Sequence, residues 1–179
     1  MKVLIVLGGK SNGNTAKLAK QFAKGAEAAG HEVEVVDAFK ADIHGCIDCQ
    51  ACKRNGGTCV FKDDMPALNE KVIAADVLLF ASPVYYFSIS AQLKAFMDRT
   101  YAVIERIRDK RLYLITTAEG PSDTFAADLE KVAVPVEGWA DCFEGMAFEK
   151  HIHLWDMGTT PDITQAPEYA EAERIGASI

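Results

Sequence analysis

Two stretches of this chain carry groups suited to chemistry. The first is GCIDCQACKRNGGTCVFKDD, residues 45–64, which holds four of the five cysteines, at Cys46, Cys49, Cys52 and Cys59. Three thiols at two-residue gaps can converge on one centre, and a fourth arrives after the Gly56-Gly57 turn. Four cysteine ligands are the usual complement of a [4Fe–4S] cluster. Structural zinc is the weaker match, because such sites pair two C-x2-C knuckles. A thiol pair for redox exchange and inert cysteines packed as small hydrophobes stand as alternatives.

The second stretch is GGKSNGNTAKLAK, residues 8–20. Its glycines fit neither the G-x-G-x-x-G dinucleotide fingerprint nor a Walker loop. What it offers is Ser11, Gly13, Asn14 and Thr15 at the start of a helix. Free backbone N–H groups and the positive helix end favour a phosphate there, with hydroxyls as further donors. A plain loop with helix caps is the other reading.

Two more segments belong to the same edge. SPVYYFSISAQLKAFMDR, residues 82–99, places Pro83, Val84, Tyr85, Tyr86 and Phe87 after a strand. They offer backbone donors and flat apolar surface, or else aromatics that cap the sheet. TTAEGPSD, residues 116–123, is small and polar and has no aromatic. Aromatics on one loop only would leave one face of a planar ligand open.

These residues must be positioned by alternating strands and helices. Val3–Leu7 and Val77–Ala81 are short continuous apolar runs, the signature of strands buried on both faces. Glu32–Val36 alternates, and Arg111–Thr117 reads as a fourth strand. Helices are expected at Thr15–Ala29, closed by Gly30, at Met65–Ala75 with Asp63 or Asp64 as cap, and after Ser88 or Ser90. Another starts at Asp123 or Thr124, runs through Val132 and is interrupted at Pro135. Trp139–Phe148 is expected as a strand that contains Cys142 as a structural residue, and Glu168–Ile175 as a last helix. The pattern is that of an α/β protein, doubly wound around a five-stranded parallel sheet with helices on both faces. One domain over 1–179 is expected, with a cysteine-rich excursion at about 41–64.

Composition narrows the partners. Lys and Arg number 19 against 26 Asp and Glu, a net charge of −7. That disfavours nucleic acid and anionic membranes. No apolar run is long enough to span a bilayer, and the N-terminal run is too short for a signal peptide, so a cytoplasmic location is expected. His151-x-His153 would share one strand face, read as a solvent-facing edge rather than a metal pair. Phe96 and Tyr101, expected on one helix, are read either as core packing or as part of a surface between copies of the chain.

The motifs SNGNT and SPVYYFSISAQLKAFMDR resemble the NADPH-dependent FMN reductase group of flavodoxin-like proteins, and the cysteine segment resembles its iron–sulfur flavoprotein branch. The resemblance runs from Met1 to about Gly120. It implies a flavodoxin-like strand order 2-1-3-4-5. It implies FMN, with Ser11, Gly13, Asn14 and Thr15 on the phosphate. Pro83, Val84, Tyr85, Tyr86 and Phe87 would line the ring, and Thr117, Ala118, Glu119 and Gly120 would face it. Cys46, Cys49, Cys52 and Cys59 would be [4Fe–4S] ligands in the iron–sulfur branch, though similar segments occur in relatives with FMN alone. The implied activity is NAD(P)H-dependent reduction of a flavin, quinone or similar acceptor. Electron carriage by FMN and a cluster is the alternative. A homodimer or homotetramer is implied as well. Hydride transfer to a flavin needs no side-chain acid or base, so no catalytic residue is assigned.

Overall fold

The computed structural model describes residues 1–159 and 162–179. Five parallel strands form one sheet in the order β2-β1-β3-β4-β5. They are β1 (Lys2–Leu7), β2 (Glu32–Asp37), β3 (Val77–Pro83), β4 (Arg111–Thr117) and β5 (Ala147–Leu154). The three central strands are the continuous apolar runs of the sequence. Alternate residues serve opposite faces: Leu4 and Val6 enter one core, and Val3, Ile5 and Leu7 the other.

Helices α1 (Asn14–Ala28) and α7 (Pro167–Ser178) cover one face around Phe22. Helices α3 (Met65–Ala74), α4 (Ala91–Arg99) and α6 (Leu129–Ala140) cover the other around Phe80 and Phe96. Two single-turn helices, α2 (Ala51–Arg54) and α5 (Ser122–Phe125), sit in connections. Each large apolar side chain buried in these layers stabilises the fold by roughly 1.5–3 kcal/mol.

The expected strand at Trp139–Phe148 is not formed. Helix α6 continues through Pro135 to Ala140, and the strand lies later, at Ala147–Leu154. Pro135 removes one backbone bond, but Val132, Ala133, Val136 and Ala140 form a buried stripe at helical spacing that outweighs it. Cys142 therefore lies in the turn after the helix, exposed. Phe96 is wholly buried against Phe80 and cannot contribute to a surface.

Candidate functional site

The carboxyl ends of β1, β3 and β4 gather three of the segments singled out above. After β1 the chain crosses to β3, where the Gly8 amide donates to the Ala81 carbonyl at 2.8 Å. Close approach requires glycine at the next position: a Cβ on Gly9 would stand 2.7 Å from Pro83 Cδ. Gly13 is the N-cap of α1 and supplies no side-chain acceptor. The first amides of that helix are thus left without a cap, as an anion site requires. Thr15 is buried, and its hydroxyl shares a 2.6 Å hydrogen bond with that of Thr117. Two hydroxyls joined by one bond leave one proton free to donate elsewhere. Lys40 donates to Ser11 Oγ at 3.0 Å, and Asn14 Nδ2 donates to Met157 Sδ at 3.4 Å.

Beyond β3, the Val84 amide donates to the Thr117 carbonyl at 2.9 Å. Tyr85 and Ser88 then exchange two backbone bonds, of 2.9 and 3.0 Å, around a two-residue turn. The turn residues, Tyr86 and Phe87, have φ of 50° and 57°. Two-residue turns of this hand favour Asn-Gly, and bulky side chains in the left-handed region are strained. Such strain is characteristic of functional segments. Tyr86 is fully exposed, and the amides of Tyr86 and Phe87 meet no protein acceptor among the described residues. Ser82 Oγ braces the base, accepting from the Ser90 amide at 2.8 Å and donating to the Pro83 carbonyl at 2.7 Å.

The loop after β4 is tied to the one after β5. Ala118 donates to the Leu154 carbonyl at 2.9 Å, Met157 to Ala118 at 3.1 Å, and Asp156 to Gly120 at 3.0 Å. Glu119 receives a bond from Gly158. The 116–123 loop itself carries no aromatic, but the expectation that aromatics occur on one loop only is corrected. Phe125 lies against Gly120 and packs between Phe87, at 5.5 Å between centroids, and Trp155, at 6.4 Å. An aromatic wall thus stands on the β4–β5 side, built from two segments outside the 116–123 loop. With β5 placed correctly, Trp155 is the first residue after a strand end, which is the signal that would have found it. Lys40 and Met157 gave no such signal.

The histidines are also corrected. His151 and His153 face the α6 side, and the Thr116 hydroxyl contacts His151 Nε2 at 2.6 Å and His153 Nδ1. Burial lowers the His151 pKa to about 4. Burial, with the neighbouring His151, lowers that of His153 to about 3. Both are neutral in the fold, His153 stands 4.3 Å from the Trp155 ring centre, and its Nε2 is buried without a partner among the described residues.

The cysteine excursion lies apart from this edge, against α4 and the 3₁₀ turn Thr100–Arg106. Asp63 is more than a cap. It accepts from Arg99 at 2.6 and 3.0 Å and from the His44 and Met65 amides. Both side chains of the pair are essentially inaccessible. Burial opposes ionisation of Asp63, but these hydrogen bonds outweigh it and hold the carboxyl at about 2. Asp64 accepts from the Asp42 amide at 2.9 Å, closing the neck. Cys46, Cys49, Cys52 and Cys59 all line one narrow cleft, with Arg99 at its wall. Among the described residues no three His, Cys, Asp or Glu side chains are close enough to hold a metal ion.

A profile of the family described as NADPH-dependent FMN reductase matches residues 1–135, and the chain belongs to that family. It is 39% identical over 100 residues to an iron-sulfur flavoprotein of Archaeoglobus fulgidus, covering 55% of this chain and 45% of that one. It is 36% identical over 101 residues to an iron-sulfur flavoprotein of Methanosarcina thermophila, covering 56% and 52%. The chain thus spans about half the length of these curated relatives. Among solved structures, an azoreductase from Bacillus anthracis superposes with a TM-score of 0.77 at 18% identity, over 100% of both chains. Smu.1420 from Streptococcus mutans gives 0.78 at 20%, again over 100% of both. At these identities the likeness is one of fold, and it agrees with the flavodoxin-like strand order 2-1-3-4-5.

Proposed function

We propose that this chain, acting as one unit over residues 1–179, binds FMN at the carboxyl ends of β1, β3 and β4. There it passes electrons from NADH or NADPH to a flavin, quinone or similar small acceptor. The observation that carries the reading is the meeting of an uncapped helix end with a strained aromatic turn at the point where the sheet order reverses. Ser11, Gly13, Asn14 and Thr15 hold the phosphate by hydrogen bonds. Pro83, Val84 and Tyr85 offer apolar surface to the ring, and Thr117, Ala118, Glu119 and Gly120 stand opposite. The unpartnered amides of Tyr86 and Phe87 favour negative charge beside them. Phe125 and Trp155 exclude water from the β4–β5 side. When bound, FMN supplies the two-electron chemistry, so no side chain is required as acid or base. No described helix is long and apolar enough to cross a membrane.

Titration of the purified chain with FMN, followed by flavin fluorescence, tests this. Saturable binding at micromolar concentration is expected, and bleaching of the bound flavin by NAD(P)H should follow. Replacing Tyr86-Phe87 by Asn-Gly keeps the turn and removes its rings, and should weaken FMN binding at least about tenfold. A chain that ignores FMN overturns the reading.

A second reading has its own observation. All four cysteines of the excursion line one cleft beside the Arg99 guanidinium, and thiolates are the ligands a [4Fe–4S] cluster takes, although as placed no three of them are close enough to hold a metal ion, so the loop would have to close around it. The chain would then carry electrons between cluster and FMN. Anaerobic purification with iron and sulfide analysis tests this reading: about four of each per chain support it. Absence of both, in protein that binds FMN, leaves the reductase alone.

A further inference from the structure

A short polar chain lies behind the aromatic wall of the β4–β5 side. Thr116 and His153 are register partners on β4 and β5, and Thr116 is wholly buried. The Thr116 hydroxyl meets His151 Nε2 at 2.6 Å and also His153 Nδ1. A hydroxyl has a single proton, and a neutral imidazole carries a single N–H. One ring therefore donates to the Thr116 oxygen while the other accepts its proton. Where His153 Nδ1 accepts, the His153 proton sits on Nε2. Where Nδ1 donates, Nε2 is a bare acceptor.

The surroundings of Nε2 choose between the two. It is buried and has no hydrogen-bonding partner among the described residues. The Trp155 ring stands beside His153, 4.3 Å between centres and crossed at 69°. An aromatic face is a weak acceptor for an N–H and offers a bare nitrogen nothing. The proton order is then His151 to Thr116, Thr116 to His153, and His153 toward Trp155. That order holds Trp155 at one side. Trp155 also lies nearly parallel to Phe125, at 29° and 6.4 Å, and Phe125 meets Phe87 on the strained turn at 5.5 Å. Phe87 is exposed, and Phe125 and Trp155 are half-buried, so these rings reach solvent where the strands end. β5 lies beyond residues 1–135, the part matched by the family profile, so His153 and Trp155 are this chain's own addition to the edge.

We infer that Trp155 is the face on which the electron acceptor stacks, and that His153 is the positioning residue that locks it, a role that rests on the function proposed above. Flat rings stack on indole and phenyl faces, and a face already held rigid loses less freedom on binding. Thr116 and His151 set the His153 tautomer and touch no acceptor.

Menadione, a naphthoquinone that takes up two electrons and two protons, is the flat probe. Ferricyanide, which takes up one electron and has no plane to stack, is the comparison. Both are reduced by NAD(P)H through the FMN-loaded chain. Trp155→Leu should raise the menadione KM at least about tenfold with kcat changed far less, and should lower the menadione-to-ferricyanide ratio of kcat/KM by a similar factor. Trp155→Phe restores a flat face and should recover most of the loss. His153→Phe keeps a ring without its nitrogens and should share the KM effect, whereas a histidine that only fills space would leave KM at the wild-type value. Nuclear magnetic resonance of isotope-labelled histidines should show His153 neutral and protonated at Nε2. FMN affinity should match the wild type's in all three variants. An unchanged menadione KM in Trp155→Leu that still binds FMN overturns the inference and leaves the flavin site standing, as does a His153 protonated at Nδ1. A wild-type chain that binds no FMN overturns both.

Discussion

The carboxyl edge of the sheet and the cysteine excursion both force non-glycine residues into left-handed backbone, at Tyr86 and Phe87 in one and at Asp48 and Gln50 in the other. They are held in different ways. The edge is tied to the strands by main-chain bonds at Gly8, Val84 and Ala118. The neck of the excursion depends mainly on carboxylates, Asp63 on Arg99 and Asp64 on the Asp42 amide. A site braced by main chain is organised before its ligand arrives. A loop hung from one ion pair takes its geometry from that pair and from whatever its thiols hold.

The largest test of that contrast is Arg99→Met. It strands the buried Asp63 carboxylate and should cost about 3–5 kcal/mol in chemical denaturation. Limited proteolysis should then cut within residues 45–60 first, while FMN affinity falls far less. Equal loss at both places would erase the distinction.

Acid should separate the two regions as well. His151 and His153 have pKa values lowered by burial to about 4 and about 3. Their contribution is complete above the ordinary histidine value near 6.5 and is lost as pH falls toward those values. With partial solvent access, about 2 kcal/mol should disappear below pH 6.5, seen as a falling Tm, and His151→Gln should reduce the slope. Asp63 acts later. Its carboxyl is held at about 2, so its stabilisation is intact above about 4 and drains as pH falls through 2. That amounts to about 2 kcal/mol, absent in Asp63→Asn. The β4–β5 side should therefore loosen before the neck of the excursion, and near-ultraviolet circular dichroism of Trp155 against cysteine accessibility would show the order.

The smallest effect is expected at Thr15→Val. It removes the bond to Thr117 and should cost about 1 kcal/mol. If Thr15 also serves the phosphate, FMN affinity drops alongside, and loss of stability alone would reduce it to a strut.

The readable parts of the molecule were those whose reasons are local. β1, β3 and β4 announce themselves because burial on both faces needs unbroken apolar runs, and the loop after β1 because a helix start needs few residues to define it. β5 was obscured by its alternation of Lys150, His151 and His153 with Ile152 and Leu154, and by a proline that α6 tolerates for the sake of its buried stripe. Phe125 and Trp155 come from two connections that meet only in the fold, so neither loop alone reveals the wall. Asp63 looks like a cap because its partner, Arg99, is 36 positions away.

The helix that closes the chain has a consequence of its own. Helices α1 and α7 meet where Gly25 faces the Glu173 carbonyl and Gly176 faces that of Phe22, and an added methyl at either would lie 2.0 Å from main-chain oxygen. Because each obstacle is backbone, no second-site change of side chain could make room. The two positions are therefore locked separately to hydrogen, and the matched profile, which ends at residue 135, includes only one of them. A shortened chain lacking α7 would bare a strip of α1 shaped to receive another helix at unusually close range. Added in trans, the missing segment should find that strip again.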